Sequence, residues 1–535
     1  MQGKLFYWAL TTALAGLLFG FDTVVISGAE ARIQNLWSLS GFWHGIAISS
    51  ALWGTVLGAL TGGIPAQKIG RKRTLIYVGA LYLVSAIGSA YAWNVSSFIF
   101  FRFIGGLGIG IATVASPMFI AEISPAQHRG KLTALFQFNI VLGILLAFIS
   151  NLIIGSSFDE SWAWRWMLGV EAVPAFFYMV MCFGLPESPR WLIVEKGDDH
   201  AGRAIFEQVN PTLSPAEIDN LVAEVKTSAE EARIMKENKA KFFSRRLRYP
   251  ILFAFLIAAF NQLSGINIIL YFAPRLLDLA GISNPLLAAA CLGVTNLIFT
   301  YVGVMLIDRL GRRTLLLIGC IGYIISLGVC TWAFVNFSEL KVVSAATDAV
   351  NAVEQVVNLD NPDNYITDSD RQEILANYQA ARQNLVLTAT PENYQGPTVS
   401  FDEESTLEDV KNAALQAKGA ASEELGSVSS LVLLCMILFI ASHAFGSGTI
   451  IWVFISEIFP NDQRAAGQSL GSSTHWVFAA GLTLIFPIVM ANFDVSVVFG
   501  FFTLMMIIQI LWAKFQMPET KGRTLEELSK SLLTE

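Results

Sequence analysis

The sequence predicts an all-α membrane protein of twelve transmembrane helices, arranged as two parallel six-helix repeats. Three observations carry that expectation. Of 535 residues, 54% are hydrophobic and only 14% are charged, which is not the composition of a soluble globule. Apolar runs of about 20 residues, long enough to cross a ~30 Å hydrocarbon core as helix, recur along the chain. Short charged motifs in the first part also return in the same order in the second.

The apolar runs lie near residues 5–29, 42–65, 74–93, 97–120, 131–155, 164–185, 249–275, 285–307, 314–337, 428–456, 465–491 and 495–516. The alternation expected of an outer-membrane barrel is absent. The first run lacks a small-residue cleavage site, so it reads as a retained helix and not a signal peptide. Cys182, Cys291, Cys320, Cys330 and Cys435 all fall inside apolar runs without metal-ligand spacing. They are expected to be buried thiols, with no disulfide and no metal.

Basic residues choose the sides. Lys68, Arg71, Lys72 and Arg73 lie between spans 2 and 3, and Arg129 and Lys131 between spans 4 and 5. Arg309, Arg312 and Arg313 lie between spans 8 and 9, Arg464 between spans 10 and 11, and Lys521 and Arg523 in the tail. The alternate connections carry few. The positive-inside rule then puts both termini and segment 187–247 in the cytoplasm.

The chain divides accordingly. Residues 1–186 form the first half and 187–247 a cytoplasmic helical linker, with amphipathic helices at 199–209 and 215–232. Residues 248–337 hold spans 7–9, 428–517 hold spans 10–12, and 518–535 form a cytoplasmic tail. Between them, 338–427 is an acidic extracytoplasmic insertion. Apolar periodicity predicts helices at 340–357 and 407–425 around a turn-rich centre at Asn361–Asn364. A packed cap and a partly disordered loop both fit that composition.

The repeat is visible residue by residue. Gly70-Arg71 returns as Gly311-Arg312, Glu122…Arg129 as Glu457…Arg464, and Pro186-Glu187 as Pro518-Glu519. Glu122 precedes Pro186 by 64 residues and Glu457 precedes Pro518 by 61. Arg71 precedes Glu122 by 51 residues, whereas Arg312 precedes Glu457 by 145. The excess matches the acidic segment, which is why it reads as an insertion. Parallel repeats with a site at their interface are a recurrent carrier plan.

Asp22 is the most informative single residue. It stands in a run from Leu5 to Ile26 that holds no other charge. Such a carboxylate costs roughly 2.5–3.5 kcal/mol to insert, so it faces a protein or water-filled interior and has a task there. Amides inside the spans are a second signal: Gln137 in span 5, Asn261, Gln262 and Asn267 in span 7, and Asn296 in span 8. Amide side chains both donate and accept, as a sugar hydroxyl does. Trp452 in span 10 offers a ring face. Span 7 loses its pattern at Ser264-Gly265, which predicts a bend. His475 and Glu171 are also intramembrane; His475 reads as a core histidine, with substrate contact the alternative. The duplicated charge motifs, with Arg71, Glu122, Arg129, Glu187, Arg190, Arg312, Glu457, Arg464 and Glu519, are expected to form a cytoplasmic latch of ion pairs between neighbouring helices. It would hold in the outward-open state and separate in the inward-open one. Generic positive-inside charge is the alternative, each exposed pair being worth ~0–1 kcal/mol.

These motifs together resemble the sugar porters of the major facilitator superfamily. The resemblance rests on Gly16, Gly20 and Asp22, Gly70 to Arg73, Arg129-Gly130, Pro186 to Leu192, Asn261-Gln262 with Gly265 and Asn267, Asp308 to Arg313, Trp452 to Pro460, and Pro518 to Gly522. It covers nearly everything except the insertion. It implies the fold, transport activity and the cytoplasmic linker. By similarity to bacterial proton–xylose symporters, Gln137, Gln262, Asn267, Asn296 and Trp452 match sugar-contacting positions, Phe19 and Tyr271 match aromatic positions near the pocket, and Arg102 is the partner of Asp22. Two departures from the pattern matter. Thr449 to Ile451 replace the usual Gly-Pro approach to Trp452, and Ile144 and Ala479 stand where xylose carriers have amides. Xylose itself is thereby put in doubt.

The resulting expectation is proton-coupled symport of a monosaccharide, pentose or hexose, into the cell by alternating access. Asp22 and Arg102 would handle the proton. A facilitative uniporter is the first alternative and a non-transporting sugar sensor the second, the short tail arguing against the sensor. No nucleophile–base pair, phosphate loop or metal cluster points to an enzyme. No cofactor, metal or nucleic acid is expected. The partners are a monosaccharide, a proton and the lipid bilayer, and the protein is expected to act as a monomer in a bacterial inner membrane.

Overall fold

In the computed structural model all regular structure among the described residues is helical. Those residues are 3–125, 127–237, 242–361, 367–402, 404–460 and 463–523, with 527 and 532. Twelve helical segments are long and apolar enough to cross a membrane: Gly3–Gly28, Gly41–Lys68, Arg71–Ala90, Val95–Ile123, Gln127–Ser157, Ser161–Phe183, Arg245–Tyr271, Pro285–Leu310, Arg312–Asn336, Ser427–Ile458, Arg464–Asn492 and Val495–Phe515. These spans, numbered 1–12, coincide with the predicted runs to within a few residues. Large apolar side chains such as Phe177, Tyr301 and Trp332 stand exposed on the bundle. In an integral membrane protein such side chains meet lipid, where apolar exposure carries no penalty.

Small residues set how closely the spans pack. A Cβ at Gly106 in span 4 would lie 1.9 Å from the Ala51 carbonyl of span 2, and one at Gly20 in span 1 would lie 1.9 Å from the Ile140 carbonyl of span 5. Those two helix pairs therefore meet backbone to backbone. Span 7 runs as Arg248–Leu263 and Ile266–Tyr271, broken at Gly265 with φ 87°, a left-handed conformation that favours glycine. The bend expected at Ser264-Gly265 is present. Span 10 also divides, at Gly446 with φ −93°, into Ser427–Phe445 and Ser447–Ile458.

The two halves meet at the end of the bundle where the insertion sits. There, span 2 packs on span 11 and span 5 on span 8. A Cβ at Gly45 would lie 2.1 Å from the Leu484 carbonyl, and one at Gly293 would lie 3.2 Å from Leu145 Cα.

The insertion is a packed helical cap. Its helices are Ser338–Val357, Asp368–Thr388 and Leu407–Leu425. The first and third match the predicted pair and share one buried core, Val342, Val343, Ala346 and Ala349 against Ala414, Ala417 and Ala421. The middle helix was not legible in the sequence. Only Ile374 and Leu385 of it are buried, too few to mark a stripe, and a capping box between Thr367 and Asp370 starts it. Positions 362–364 of the predicted turn lie outside the described residues. Both ends of the insertion belong to the second half, yet it also grips the first. Asn35 Nδ2 donates to Glu354 at 2.7 Å and to Asn351 at 3.2 Å, and Ser38 Oγ donates to the Gln355 carbonyl at 2.8 Å. The linker forms helices Pro189–Glu195, Asp199–Val209 and Pro215–Glu237. The five cysteines are free; all are buried but Cys291, which is exposed.

Candidate functional site

A cavity of about 140 Å³ lies between the halves at mid-depth. Its wall includes Phe19, Gln137, Asn261, Gln262, Asn267, Asn296 and Trp452, seven of the eight residues expected to bind substrate. The eighth, Tyr271, lies outside that wall. It is 1% exposed and sits within electrostatic reach of Asp22 and Arg102. Ile144 lines the cavity, whereas Ala479 is buried outside it.

The bend in span 7 organises the amides. Asn267 Nδ2 donates to Gln262 Oε1 at 2.9 Å. Gln262 Nε2 lies 3.2 Å from Asn261 Oδ1, and Asn261 Nδ2 donates to Ser447 Oγ at 3.0 Å. The chain of amides thus runs from the broken part of span 7 to the broken part of span 10. His475 closes it on the far side, 3.1 Å from Gln262 Nε2, with its ring 5.2 Å from Trp452 and 4.8 Å from Trp476. His475 is therefore part of the cavity wall. Thr300 also lines it, one turn beyond Asn296, a neighbour that helical spacing would have identified. Thr23 is there too, adjacent to Asp22.

Among the described residues, the wall holds no carboxylate, lysine or arginine. A cavity so small, well under the ~300–1,000 Å³ of drug-sized sites, suits one compact neutral ligand rich in hydroxyls.

A charged cluster lies beside the cavity, outside its wall. Arg102 Nη1 donates to Asp22 Oδ1 at 2.5 Å and Nη2 to the Asp22 carbonyl at 3.1 Å. Asp22 is 1% exposed and Arg102 2%. Glu171 is equally buried and within electrostatic reach of both. Two carboxyls thus face one guanidinium in a dry interior. With both ionised, one negative charge would stay uncompensated there, which is the costly arrangement.

At the insertion end a second charged group joins the two halves. Arg275 Nε donates to Glu30 Oε1 at 2.9 Å, and Arg275 also bonds Gln34. His44 Nε2 lies 3.2 Å from Glu30 Oε2. Burial works to raise the Glu30 carboxyl, but Arg275 and His44 outweigh it and hold it below its ordinary value. Arg275 belongs to the second half, Glu30 and His44 to the first, so this group bridges the two.

The duplicated motifs build two matching clusters at the opposite end. In one, Arg71 forks onto Glu122 at 2.8 and 2.9 Å, while Glu187 Oε1 accepts from the Arg71 and Lys72 amides. In the other, Arg312 forks onto Glu457 at 2.8 and 3.2 Å, while Glu519 accepts from the Arg312 and Arg313 amides. Ser188 and Thr520 complete them, each donating to the cluster glutamate at 2.6 Å. Gly70 at φ 99° and Gly311 at φ 90° turn those amides toward the carboxylates. Each cluster stays within its own half and is intact in this conformation. Arg129 and Arg190 are exposed and Arg464 half-buried; among the described residues, none of the three joins these pairs.

The model of the family described as "Sugar (and other) transporter" matches residues 8–350 and 413–532. The chain belongs to that family. The transporter is accordingly a membrane carrier of the major facilitator fold and not an enzyme. The match skips most of the insertion. The transporter is 30% identical over 532 residues to a glucose transport protein of Synechocystis, covering 96% of this chain and 95% of the relative. It is 27% identical over 565 residues to the D-xylose-proton symporter of Escherichia coli K12, covering 98% and 95%. The inward-open structure of the xylose transporter XylE from E. coli superposes with TM-score 0.70 at 26% identity, covering 99% of this chain and all of that one.

Proposed function

We propose that the transporter carries one neutral monosaccharide, a pentose or hexose, into the cell together with a proton. The observation that carries this reading is the adjacency of an uncharged, amide-lined cavity to a buried Asp22–Arg102–Glu171 cluster. The cavity supplies paired donors and acceptors for hydroxyls, and Trp452 a ring face for the sugar C–H surface. The cluster supplies a carboxyl that can take a proton without leaving the interior charged.

On this reading the basic end with the chain termini is cytoplasmic and the insertion end faces out. The halves touch at the insertion end, so the conformation is closed to the outside. Asp22, paired with Arg102, is then in its proton-released form. Protonation would free it from Arg102 and favour the opposite tilt of the halves. Proton entry adds ~2.3 kcal/mol of drive per 100 mV of membrane potential. The arginine–glutamate clusters at the cytoplasmic end brace each half as a unit that tilts. Names of the relatives, a glucose transport protein and a xylose–proton symporter, support the substrate class and the coupling.

The test is uptake by purified protein in proteoliposomes against a panel of pentoses and hexoses, with and without an imposed pH gradient. Accumulation above equilibrium only with the gradient supports symport. Equilibration of a sugar regardless of the gradient would establish the uniporter instead, and transport of none would remove the reading.

A further inference from the structure

The insertion has no part in the transport cycle as described above, and it walls a second cavity. This one is about 490 Å³ and lies between the first two insertion helices, Arg275 and Leu279 beyond span 7, and the turn joining spans 11 and 12. It shares no lining residue with the central cavity. Its floor is Arg275 and Gln34, part of the group that joins the two halves at the insertion end. Anything bound here sits directly above that contact.

The chemistry of the wall points to a neutral polyol. Asn351, Asn377 and Asn384 bring amides from two insertion helices. Arg275 is already committed to Glu30 and Gln34, and Lys341, the other cation of the wall, is offset by two carboxylates, Asp348 and Asp494, so no excess cation is left to hold an anion. Thr347 gives an independent sign of a missing partner. It is 5% exposed, it lines the cavity, and its hydroxyl makes no hydrogen bond among the described residues. Buried hydroxyls are normally satisfied, so an unpartnered one at a cavity wall marks a place for a ligand hydroxyl.

We propose that this cavity is an antechamber that binds the transported class of sugar before the outer gate opens. This rests on the reading of the protein as a sugar carrier. The antechamber is more than three times the volume of the central cavity, so it holds a sugar ring with part of its water shell. It is a loose capture site, from which breaking the Arg275–Glu30 contact admits the sugar to the amides of span 7.

Two measurements test it. In the first, Ser344→Trp fills the antechamber from the first insertion helix, and Thr347→Val removes only the unpartnered hydroxyl. Uptake into right-side-out proteoliposomes should show KM raised about three- to tenfold by Ser344→Trp and about twofold by Thr347→Val at unchanged uptake kcat, while efflux keeps its KM and loses kcat by the same factor, because one equilibrium constant governs both directions. An efflux KM raised as much as the uptake KM, or no change in either, overturns the proposal. In the second, saturation-transfer NMR with D-glucose and D-xylose is run on the full chain carrying Gln262→Ala and Asn267→Ala. A residual signal should persist and vanish on adding Ser344→Trp. A signal absent from the double variant, or indifferent to Ser344→Trp, also overturns it. Wild-type protein that moves no sugar in the first measurement would instead refute the carrier reading, while the second still decides whether the antechamber binds sugar.

Discussion

Gly45→Val should hold the carrier open at the insertion end. The span 2–span 11 contact is made backbone to backbone there, and a Cβ at Gly45 would lie 2.1 Å from the Leu484 carbonyl oxygen and 3.0 Å from its carbon. Ordinary contact begins near 3.4 Å, so the helices must part by about an ångström, and both are held by their own halves. Overpacking of this kind costs about 1–3 kcal/mol, and a value near 2.7 kcal/mol shifts the closed-to-open ratio ~100-fold. The cost falls only on the state in which these helices touch. Sugar uptake should therefore drop steeply while the protein stays folded. Hydrogen exchange over 41–52 and 480–490 should quicken as the interface opens to water. Gly481→Val on span 11, where an added Cβ meets nothing within 4 Å, is the control and should do neither. A Gly45→Val protein with wild-type transport and exchange would show that this contact does not set the closed state.

Three further outcomes are expected. Asp22→Asn should abolish pH-driven accumulation while sugar counterflow persists; Glu171 remains within reach of Arg102 to balance its charge, so the fall in Tm, measured by thermal unfolding in detergent, should stay below the ~3–5 kcal/mol that an uncompensated buried charge costs. Gln262→Ala removes the hub of the amide chain and should raise the sugar Kd about 10–100-fold, from the ~1–3 kcal/mol cost of leaving hydrogen-bonding groups unmatched, read by quenching of Trp452 and Trp476. Asp348 supplies the pH prediction: its side chain is exposed to the large cavity, yet the protein packed around that cavity limits its hydration and, with the Asp494 carboxylate, pushes its carboxyl up to about 7 against the opposing pull of Arg275 and Lys418, with Lys341 on the same cavity wall. A carboxyl raised in the folded state binds its proton more tightly there than in the unfolded chain, so the seating of the insertion should weaken as pH rises from about 4 toward 7. Hydrogen exchange over 338–357 should follow that trend in the wild type and lose it in Asp348→Asn.

What was legible in the sequence follows from the solvent. A bilayer demands about 20 apolar residues per crossing, so the spans were readable almost to their ends. Any charge inside them was conspicuous, which is how Asp22 stood out. Duplication made Arg71–Glu122 and Arg312–Glu457 readable as equivalent clusters, but not that each closes within its own half, because a motif names neighbours and not a rigid body. The Glu30–Arg275–His44 group was not legible at all. Glu30 and Arg275 lie 245 residues apart at the ends of spans, where charge is unremarkable, and only the fold brings them to 2.9 Å. Tyr271, which resemblance placed near the pocket, lies between the cavity and the charged cluster: it is not itself on the wall, but it pairs with Thr23, which is, and it is within electrostatic reach of Asp22 and Arg102.

That placement bears on coupling. Span 1 carries Phe19, Gly20 and Thr23 on the cavity wall and Asp22 off it. Span 7 carries Gln262 and Asn267 on the wall and Tyr271 toward Asp22. The same two helices therefore touch both the proposed sugar site and the proposed proton site. Span 7 is hinged between its two contributions, at Gly265, with one amide on either side. A sugar that bridges Gln262 and Asn267 must fix the angle of that hinge, and so the position of Tyr271 beside Asp22 and Arg102. Proton and sugar need not touch to be linked; it is enough that each prefers one setting of the hinge. Gly265→Ala separates this account from a direct-contact one. A Cβ there is strained at φ 87° and meets the Phe502 ring at 2.6 Å, so it should disturb the pH dependence of sugar affinity more than the affinity itself, although residue 265 lies outside the walls of both sites. Sugar affinity measured at several pH values decides it, and an unchanged pH dependence would remove the hinge from the mechanism.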